Sequence, residues 1–403
     1  MSAAAQSDPD LEAFRAEARA FIDANFPASL KGKDVLPFLE GHGSKDPDFL
    51  SWKKAMGEKG WGIATWPKPW GGGLSKAQGR ALNQELARAG AFNPIAGMGV
   101  AMFGPTLLEY GNAEQTAKHM PGIALGTVRW CQGYSEPGAG SDLASLRTQA
   151  IDKGDHFLVN GQKIWTSGAQ YADWCFCLVR TDNTRKHEGI SFLLIDMKSP
   201  GVETRTIKLI SGNSPFCETF FTDVKVPKEN LMGPLNGGWT VGKRLLQFER
   251  DGQGGGSSRA ASFRGADFRG VDEIAKLYVG SDAAGRIADA DLRARVANHQ
   301  MDAAAMRLTV QRMQDDARAN QGPSAVTSIM KNANVKVNQD RAELLIEILG
   351  FQGLGWEGDA YSQNEIDAAR NWLSGKAQSI YGGSNEIQSN IIAKRILGLL
   401  DHQ

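Results

Sequence analysis

Residues 130–146, WCQGYSEPGAGSDLASL, and residues 160–174, NGQKIWTSGAQYADW, decide how this chain is read. In the first, Pro137, Gly138 and Gly140 force a tight loop whose backbone N–H groups can approach an anion closely, and Ser135 and Ser141 add hydroxyl donors on either side. Alone, such a loop reads equally well as an ordinary β-turn. In the second, Trp165 and Ser167 stand beside a turn and offer an aromatic face and a hydroxyl to a flat heteroaromatic ring. The alternative for Trp165 is a side chain that packs the core.

Both segments lie among short β-type runs between about Thr127 and Asn236: HFLVNGQKIWTS, DWCFCLVRT, ISFLLIDM and ETFFTDVKV, separated by Gly, Pro, Asn and Asp turns. Before them, from Leu11 to His119, the pattern is helical, with Leu11, Phe14, Ala18, Phe21 and Ile22 at helix spacing. GWGIATWPKPWGGG (60–73) must interrupt it. Helical periodicity returns at Gly238 and runs to the C-terminus, as in Ile387, Ile391, Ile392, Ile396 and Leu399 after an N-cap at Ser384. The glycine-rich GQGGGSSRAAS after Asp251 loosens or ends a helix. The expected class is α+β, mainly α: a helical domain at 1–126, a β domain at 127–237 and a helical domain at 238–403.

A chain of 403 residues exceeds one hydrophobic core and has volume to enclose a large cofactor. Its 45 basic and 45 acidic residues leave no broad positive field for nucleic acid or anionic membrane. The four cysteines form no C-x-x-C pair, Cys175 and Cys177 share one strand face, and a reducing compartment fits best. The start, MSAAAQSDPDLEAFR, has no basic n-region or apolar h-region, and no run of about 18 apolar residues occurs. A soluble, cytoplasmic protein with no membrane insertion is expected. The six histidines lack metal-ligand spacing, so no metal site is expected.

GYSEPGAGSD followed by NGQKIWTSG and ADW resembles the acyl-CoA dehydrogenase family. GWGIATWPKPWGGG resembles its N-terminal motif, TDVKVPKENLMGPLNGGW (222–239) its β-to-helix junction, and IYGGSNEIQSNIIAKRILG (380–398) its C-terminal loop and helix. The resemblance covers nearly the whole chain. It implies the three-domain acyl-CoA dehydrogenase fold, with a β-barrel-like middle and a C-terminal helical bundle, usually tetrameric, with FAD as cofactor. By it, Ser135 and Ser167 bond the flavin ring, Trp165 packs against it, Ser141 contacts the pyrophosphate, and Gln132 and Tyr134 give backbone contacts. Gly140 and Ser384 complete the implied cofactor set, and Arg250, Tyr381 and Gly383 the implied substrate set. The implied electron acceptor is an electron-transfer flavoprotein.

The family's reaction removes the proton α to a thioester and passes a β hydride to flavin N5, leaving a trans-2-enoyl-CoA. That needs an electron acceptor, donors for the enolate-like oxygen, and a desolvated carboxylate, since one in water with a pKa of about 4.3 is too weak a base. In much of the family the carboxylate follows the tyrosine of an I-Y-E-G loop, but this chain reads Ile380-Tyr381-Gly382-Gly383. Gly382 keeps the backbone N–H that polarises the carbonyl and loses the base. Branches such as isovaleryl-CoA dehydrogenase carry the glutamate just before the arginine of the first long C-terminal helix, here Glu249-Arg250. In VGKRLLQFERD, Gly242, Leu245, Leu246 and Glu249 stand at i, i+3, i+4 and i+7 on one face. The other readings are a surface Glu249 paired with Lys243 or Arg250, and Glu386 as the base. Gly382 and Gly254 to Gly256 also vacate volume for a branched or bulky acyl group.

Two segments depart from the family pattern. The R-x-x-F-G arginine that reaches a neighbouring subunit's FAD is missing, with Arg286, Arg293 and Arg295 as replacements between which the sequence does not choose. Where the family reads Q-I-x-G-G-x-G, Glu347 opens EILGFQG. The chain therefore reads as a homotetramer or as one chain of a hetero-oligomer. The competing functions are a flavin monooxygenase or oxidase on the same fold, and a non-catalytic subunit.

Overall fold

The computed structural model describes residues 9–33, 35–39, 41, 43–254, 270–318 and 326–400, with the side chains of 36–37, 249–254, 314–318 and 326 excepted. The chain divides into two compact units. One comprises Met1–Ile207 with Pro215–Glu249, the other Lys208–Ser214 with Arg250–Gln403.

The first unit begins with helices α1 (Pro9–Asn25), α2 (Leu36–Leu39), α3 (Pro47–Glu58), α4 (Lys76–Ala89), α5 (Gly104–Tyr110) and α6 (Ala113–Ala124). The spacing in α1 does what its period requires: Phe14, Ala18 and Ile22 are buried, in one core with Trp52 and Met56 of α3 and Leu82 and Leu86 of α4. The helices start where side chains can satisfy the first N–H groups. Asp46 accepts from Asp48 N and Phe49 N, and Ser75 with Gln78 forms a capping box on α4.

The β-type runs form one seven-stranded, curled sheet: β1 (Trp130–Gly133), β2 (Gln149–Asp152), β3 (His156–Ser167), β4 (Trp174–Arg180), β5 (Ile190–Asp196), β6 (Val202–Ile207) and β7 (Phe216–Pro227). The order is β1-β4-β2-β3-β7-β6, with β5 paired to β4. Residues 175–180 of β4 are all buried because both faces are covered, which is why WCFCLVR is nearly all apolar. Phe176 and Leu178 pack with Phe103, Trp130 and Phe192, whereas Cys175, Cys177 and Val179 pack with Cys131, Phe157 and Ile195. All four cysteines are free and buried. A hydrogen bond with Cys131 raises the Cys175 thiol well above its usual pKa, and burial does the same for Cys177, so these thiols stay protonated. Helix α7 (Gly238–Gly254) follows, burying Val241 and Leu245 in the Phe176 core, and ends within the glycine run.

The second unit holds α8 (Val271–Tyr278), α9 (Ala290–Arg318), α10 (Val326–Leu349), α11 (Gln363–Gly375) and α12 (Asn385–Arg395), around Ile274, Ala275, Val296, Leu344 and Ile348. Ser384 caps α12 as its sequence indicates, accepting from Ile387 N. The apolar stripe expected along α12 is not buried. The helix ends at Arg395, Gly398 turns left-handed (φ 64°), and Ile396 and Leu399 lie exposed beyond it, while the buried α12 residue is Gln388. No helix among the described residues is long and apolar enough to cross a membrane.

His119 sits 4 % exposed on α6, edge-on to Trp130 and Trp174, with no hydrogen-bond partner for Nε2 among the described residues. Burial, reinforced by Lys118, lowers its pKa to about 4. The folded state therefore favours the neutral ring, and this stabilisation is whole above the unfolded-state pKa near 6.5 and is lost as pH falls towards 4. Denaturant unfolding at pH 7 and pH 5 should show a loss of about 2 kcal/mol from this group, absent in His119→Phe.

Candidate functional site

The loop after β1 and the end of β3 come together through the backbone. Ile164 N donates to Ser135 O at 2.9 Å, so Ser135 and the Trp165 segment are adjacent although about 30 residues separate them. Gln132 is half-buried on β1, in register with Phe176. Tyr134 is buried, its ring edge-on to Phe176 and Phe192, so its backbone is what remains for a ligand.

Trp165 is not a core tryptophan. It is 52 % exposed at φ 60°, in a break of the β3–β7 register between Lys163 and Thr166. A bulky residue held left-handed with its ring in solvent is a cost the sheet does not need, and such strain collects at ligand sites. Its ring stands perpendicular to that of Phe216 with centroids 5.9 Å apart, and Phe216 pairs with Ser167. Glu136 and Ala139 exchange both backbone bonds, closing a turn over Pro137-Gly138. Beyond it, Gly140 and Ser141 are exposed. The expected reason for the glycines, a forced backbone, does not hold: neither Gly138 nor Gly140 has a positive φ, and a Cβ on either would meet nothing within 4 Å. Neither conformation nor packing within the chain asks for glycine there. Glycine there leaves the backbone open to close approach by a group from outside the chain.

In the second unit, Gly382 (φ 65°) and Gly383 (φ 85°) turn the chain into α12, and Gln388 Nε2 donates to Gly382 O at 3.0 Å. Tyr381 is 40 % exposed. Ser384, expected at the cofactor, spends its hydroxyl lone pair on the α12 cap. Glu386 is exposed, and hydrogen bonds from its own backbone N–H and from Ser384 hold its carboxyl below the usual range, the wrong direction for a base. The side chains of Glu249 and Arg250, and all of Gly255 and Gly256, lie outside the described residues. The backbone of α7 carries position 249 one turn beyond Leu245. The two departures noted in the sequence meet each other: Arg295 grips Glu347 with two parallel 2.6 Å bonds. Arg286 pairs with Asp282, and Arg293 donates to Ile287 O.

Against known proteins, the acyl-CoA dehydrogenase N-terminal, middle and C-terminal domain models match residues 8–127, 131–224 and 236–397. The chain belongs to the acyl-CoA dehydrogenase family. It is 35 % identical over 402 residues to acyl-CoA dehydrogenase IpdE1 of Mycobacterium tuberculosis, covering 97 % of this chain and 98 % of that one. Among solved structures, the steroid ACAD Tcur3481-Tcur3483 has TM-score 0.76 at 29 % identity, covering 98 % and 99 % of the two chains. The ChsE4-ChsE5 complex of Mycobacterium tuberculosis has TM-score 0.74 at 29 % identity, covering 99 % and 100 %.

Acyl-CoA dehydrogenases are FAD-dependent oxidoreductases acting on CH–CH bonds, and the first unit offers what a flavin needs: an exposed aromatic face at Trp165, hydroxyls at Ser135 and Ser141, and a loop open to close approach. The residues the sequence reading missed are Glu136 and Lys163. Lys163 is fully buried, donating to Glu136 Oε1 (2.7 Å) and Tyr134 O (3.1 Å). Burial would raise the Glu136 carboxyl, but the Lys163 charge and the hydrogen bonds outweigh it and hold it ionised. The signal was available, since Lys163 has the strand parity of Phe157 and Val159 and a charge on that face requires a partner.

Gly140→Ala in this acyl-CoA dehydrogenase should leave folding stability within about 0.5 kcal/mol of wild type. Gly161→Ala, whose Cβ would stand 2.6 Å from Thr148 Cα at φ 151°, should cost more than about 1 kcal/mol, and chemical denaturation of both variants checks the contrast.

Proposed function

We propose that this chain is an FAD-dependent acyl-CoA dehydrogenase in which Glu249 removes the α proton of a bulky, polycyclic acyl-CoA thioester. The observation that carries this is the backbone at Gly382: the family's frequent carboxylate position holds glycine at φ 65°, and the adjacent Glu386 is held acidic. The phase of α7 supports position 249, because Val241, Gly242 and Leu245 are buried and the next turn of that face is 249. A carboxylate removed from water gains basicity, which is what α-proton abstraction requires. FAD, when bound, supplies the acceptor for the β hydride. In the first unit Ser135, Ser141, Trp165 and Ser167, with the backbones of Gln132, Tyr134 and Gly140, would hold it, while the cap on α12 already engages the Ser384 hydroxyl. The Gly382 N–H polarises the thioester carbonyl, and Arg250, Tyr381 and Gly383 border the substrate. Electrons pass to an electron-transfer flavoprotein. The polycyclic acyl group is supported by the solved relative named as a steroid ACAD and by the missing side chain at Gly382, beside which a Cβ would meet nothing within 4 Å.

Glu249→Gln should retain FAD while anaerobic bleaching of the flavin by acyl-CoA slows by about 10²- to 10⁴-fold. A wild-type bleaching rate in this variant rejects Glu249. Across a thioester panel, steroid-derived acyl-CoA should bleach fastest, and strict preference for short straight chains rejects the polycyclic assignment. Flavin reduced only by an external reductant favours the monooxygenase reading.

A hetero-oligomer is favoured over a homotetramer by the Arg295–Glu347 pair, which engages within the chain an arginine otherwise available to a neighbour's cofactor. One solved relative is named as the ChsE4-ChsE5 complex, and another carries the paired name Tcur3481-Tcur3483. Expressed alone, the chain should hold fewer FAD than protomers, and Glu347→Gln should raise that occupancy. Full occupancy of the lone wild-type chain, measured by absorbance, rejects this reading.

A further inference from the structure

The buried Glu136–Lys163 pair lies at the base of the 136–148 loop, and its geometry is that of a clasp. Besides Lys163 Nζ on Oε1, the Glu136 carboxylate accepts from Arg147 N (2.6 Å, Oε2) and Thr148 N (2.9 Å, Oε1). Residues 136 and 147–148 are the two ends of the loop that carries Gly138, Gly140 and Ser141, so one carboxylate closes that loop at its base. Lys163 then ties the base to β3: its ammonium also donates to Tyr134 O, and the next residue, Ile164, donates its N–H to Ser135 O. Trp165, at φ 60°, follows at once. Arg180 holds the far limb, donating to Ala144 O (2.6 Å) and Leu146 O (3.2 Å). Lys163 is 0 % and Glu136 9 % exposed.

A buried ion pair is weak evidence for stability, because an apolar pair of similar volume commonly serves as well. An apolar pair could not accept two backbone N–H groups from the loop's end. We propose that Glu136 and Lys163 are positioning residues that fix the 136–148 loop and the Trp165 turn in one mutual arrangement, so that the loop amides, Ser135, Ser141 and the Trp165 ring meet FAD as a preformed surface. Both side chains are buried beneath that surface. Both act by removing the loop's freedom before FAD arrives, which a ligand otherwise has to do at the expense of affinity. This inference rests on the FAD reading above.

The test uses the full-length chain and two independent readouts. Glu136→Gln sets an amide NH₂ against the Arg147 N–H. Hydrogen exchange on the FAD-free protein should show faster exchange across 136–148, with β4 and β5 unchanged. FAD titration should show a dissociation constant raised at least about tenfold, with an altered visible circular dichroism of the bound flavin. Unchanged exchange across 136–148 overturns the clasp. A looser loop with FAD affinity and flavin spectrum as in wild type overturns its role in positioning. If Glu136→Gln loosens β4 and β5 as well, Glu136→Asp decides by the same criteria, since it keeps the charge for Lys163 and shortens the reach to Arg147 and Thr148. A wild-type chain that takes up no FAD overturns the flavin reading and with it the clasp's flavin role, whereas the exchange result still decides whether the clasp exists.

Discussion

A lysine ammonium with no exposed surface has to be met by protein, and in this chain that requirement organises the middle sheet around Lys163. Its charge needs Glu136, its remaining donors need a carbonyl, and the carbonyl nearest is that of Tyr134, so the chain after β1 must run alongside β3. The Glu136 carboxylate then has lone pairs to satisfy and takes them from the backbone of Arg147 and Thr148. Each partner is determined by the one before it, and the outcome is a long loop that is neither helix nor strand yet has a fixed base.

The same strand pays for this with irregularity. With Lys163 directed inward, the register with β7 breaks before Thr166, and Trp165 takes up the break in a conformation that costs of order 1–3 kcal/mol. The sheet can bear that cost because its strand β4 is covered on both faces by aromatic and aliphatic side chains, with α7 closing one of them. Rigid packing on one strand thus permits strain on another, and the strained strand is where the exposed ring and hydroxyls gather.

Most of the architecture was legible in the sequence because it rests on periodicity. HFLVNGQKIWTS corresponds residue for residue to β3, the spacing of Phe14, Ala18 and Ile22 gave the buried face of α1, and Ser384 marked the start of α12. What escaped depends on tertiary contact. Ile396 and Leu399 looked like a continuation of an apolar face, but α12 ends at Arg395 and the left-handed Gly398 turns the chain away, leaving both exposed. The glycines of the SEPGAG loop were read as backbone necessities, whereas their φ values are ordinary and the space beside them is open. Arg295, one of three candidate replacements, and Glu347 were read as unconnected because they stand 52 positions apart, and only the fold makes them partners. Glu136 and Lys163 belonged to the most informative motifs in the chain and were still passed over, since their role concerns each other and the backbone.

The four thiols give the molecule one more property. All are buried, all belong to the strands of the middle sheet, and no other cysteine exists in the chain. A maleimide in solution therefore has no target while that sheet stays shut, and each alkylation event marks an opening of this sheet and of no other part of the protein. The fold carries its own chemical clock for the breathing of its middle sheet, readable by mass without any engineered label.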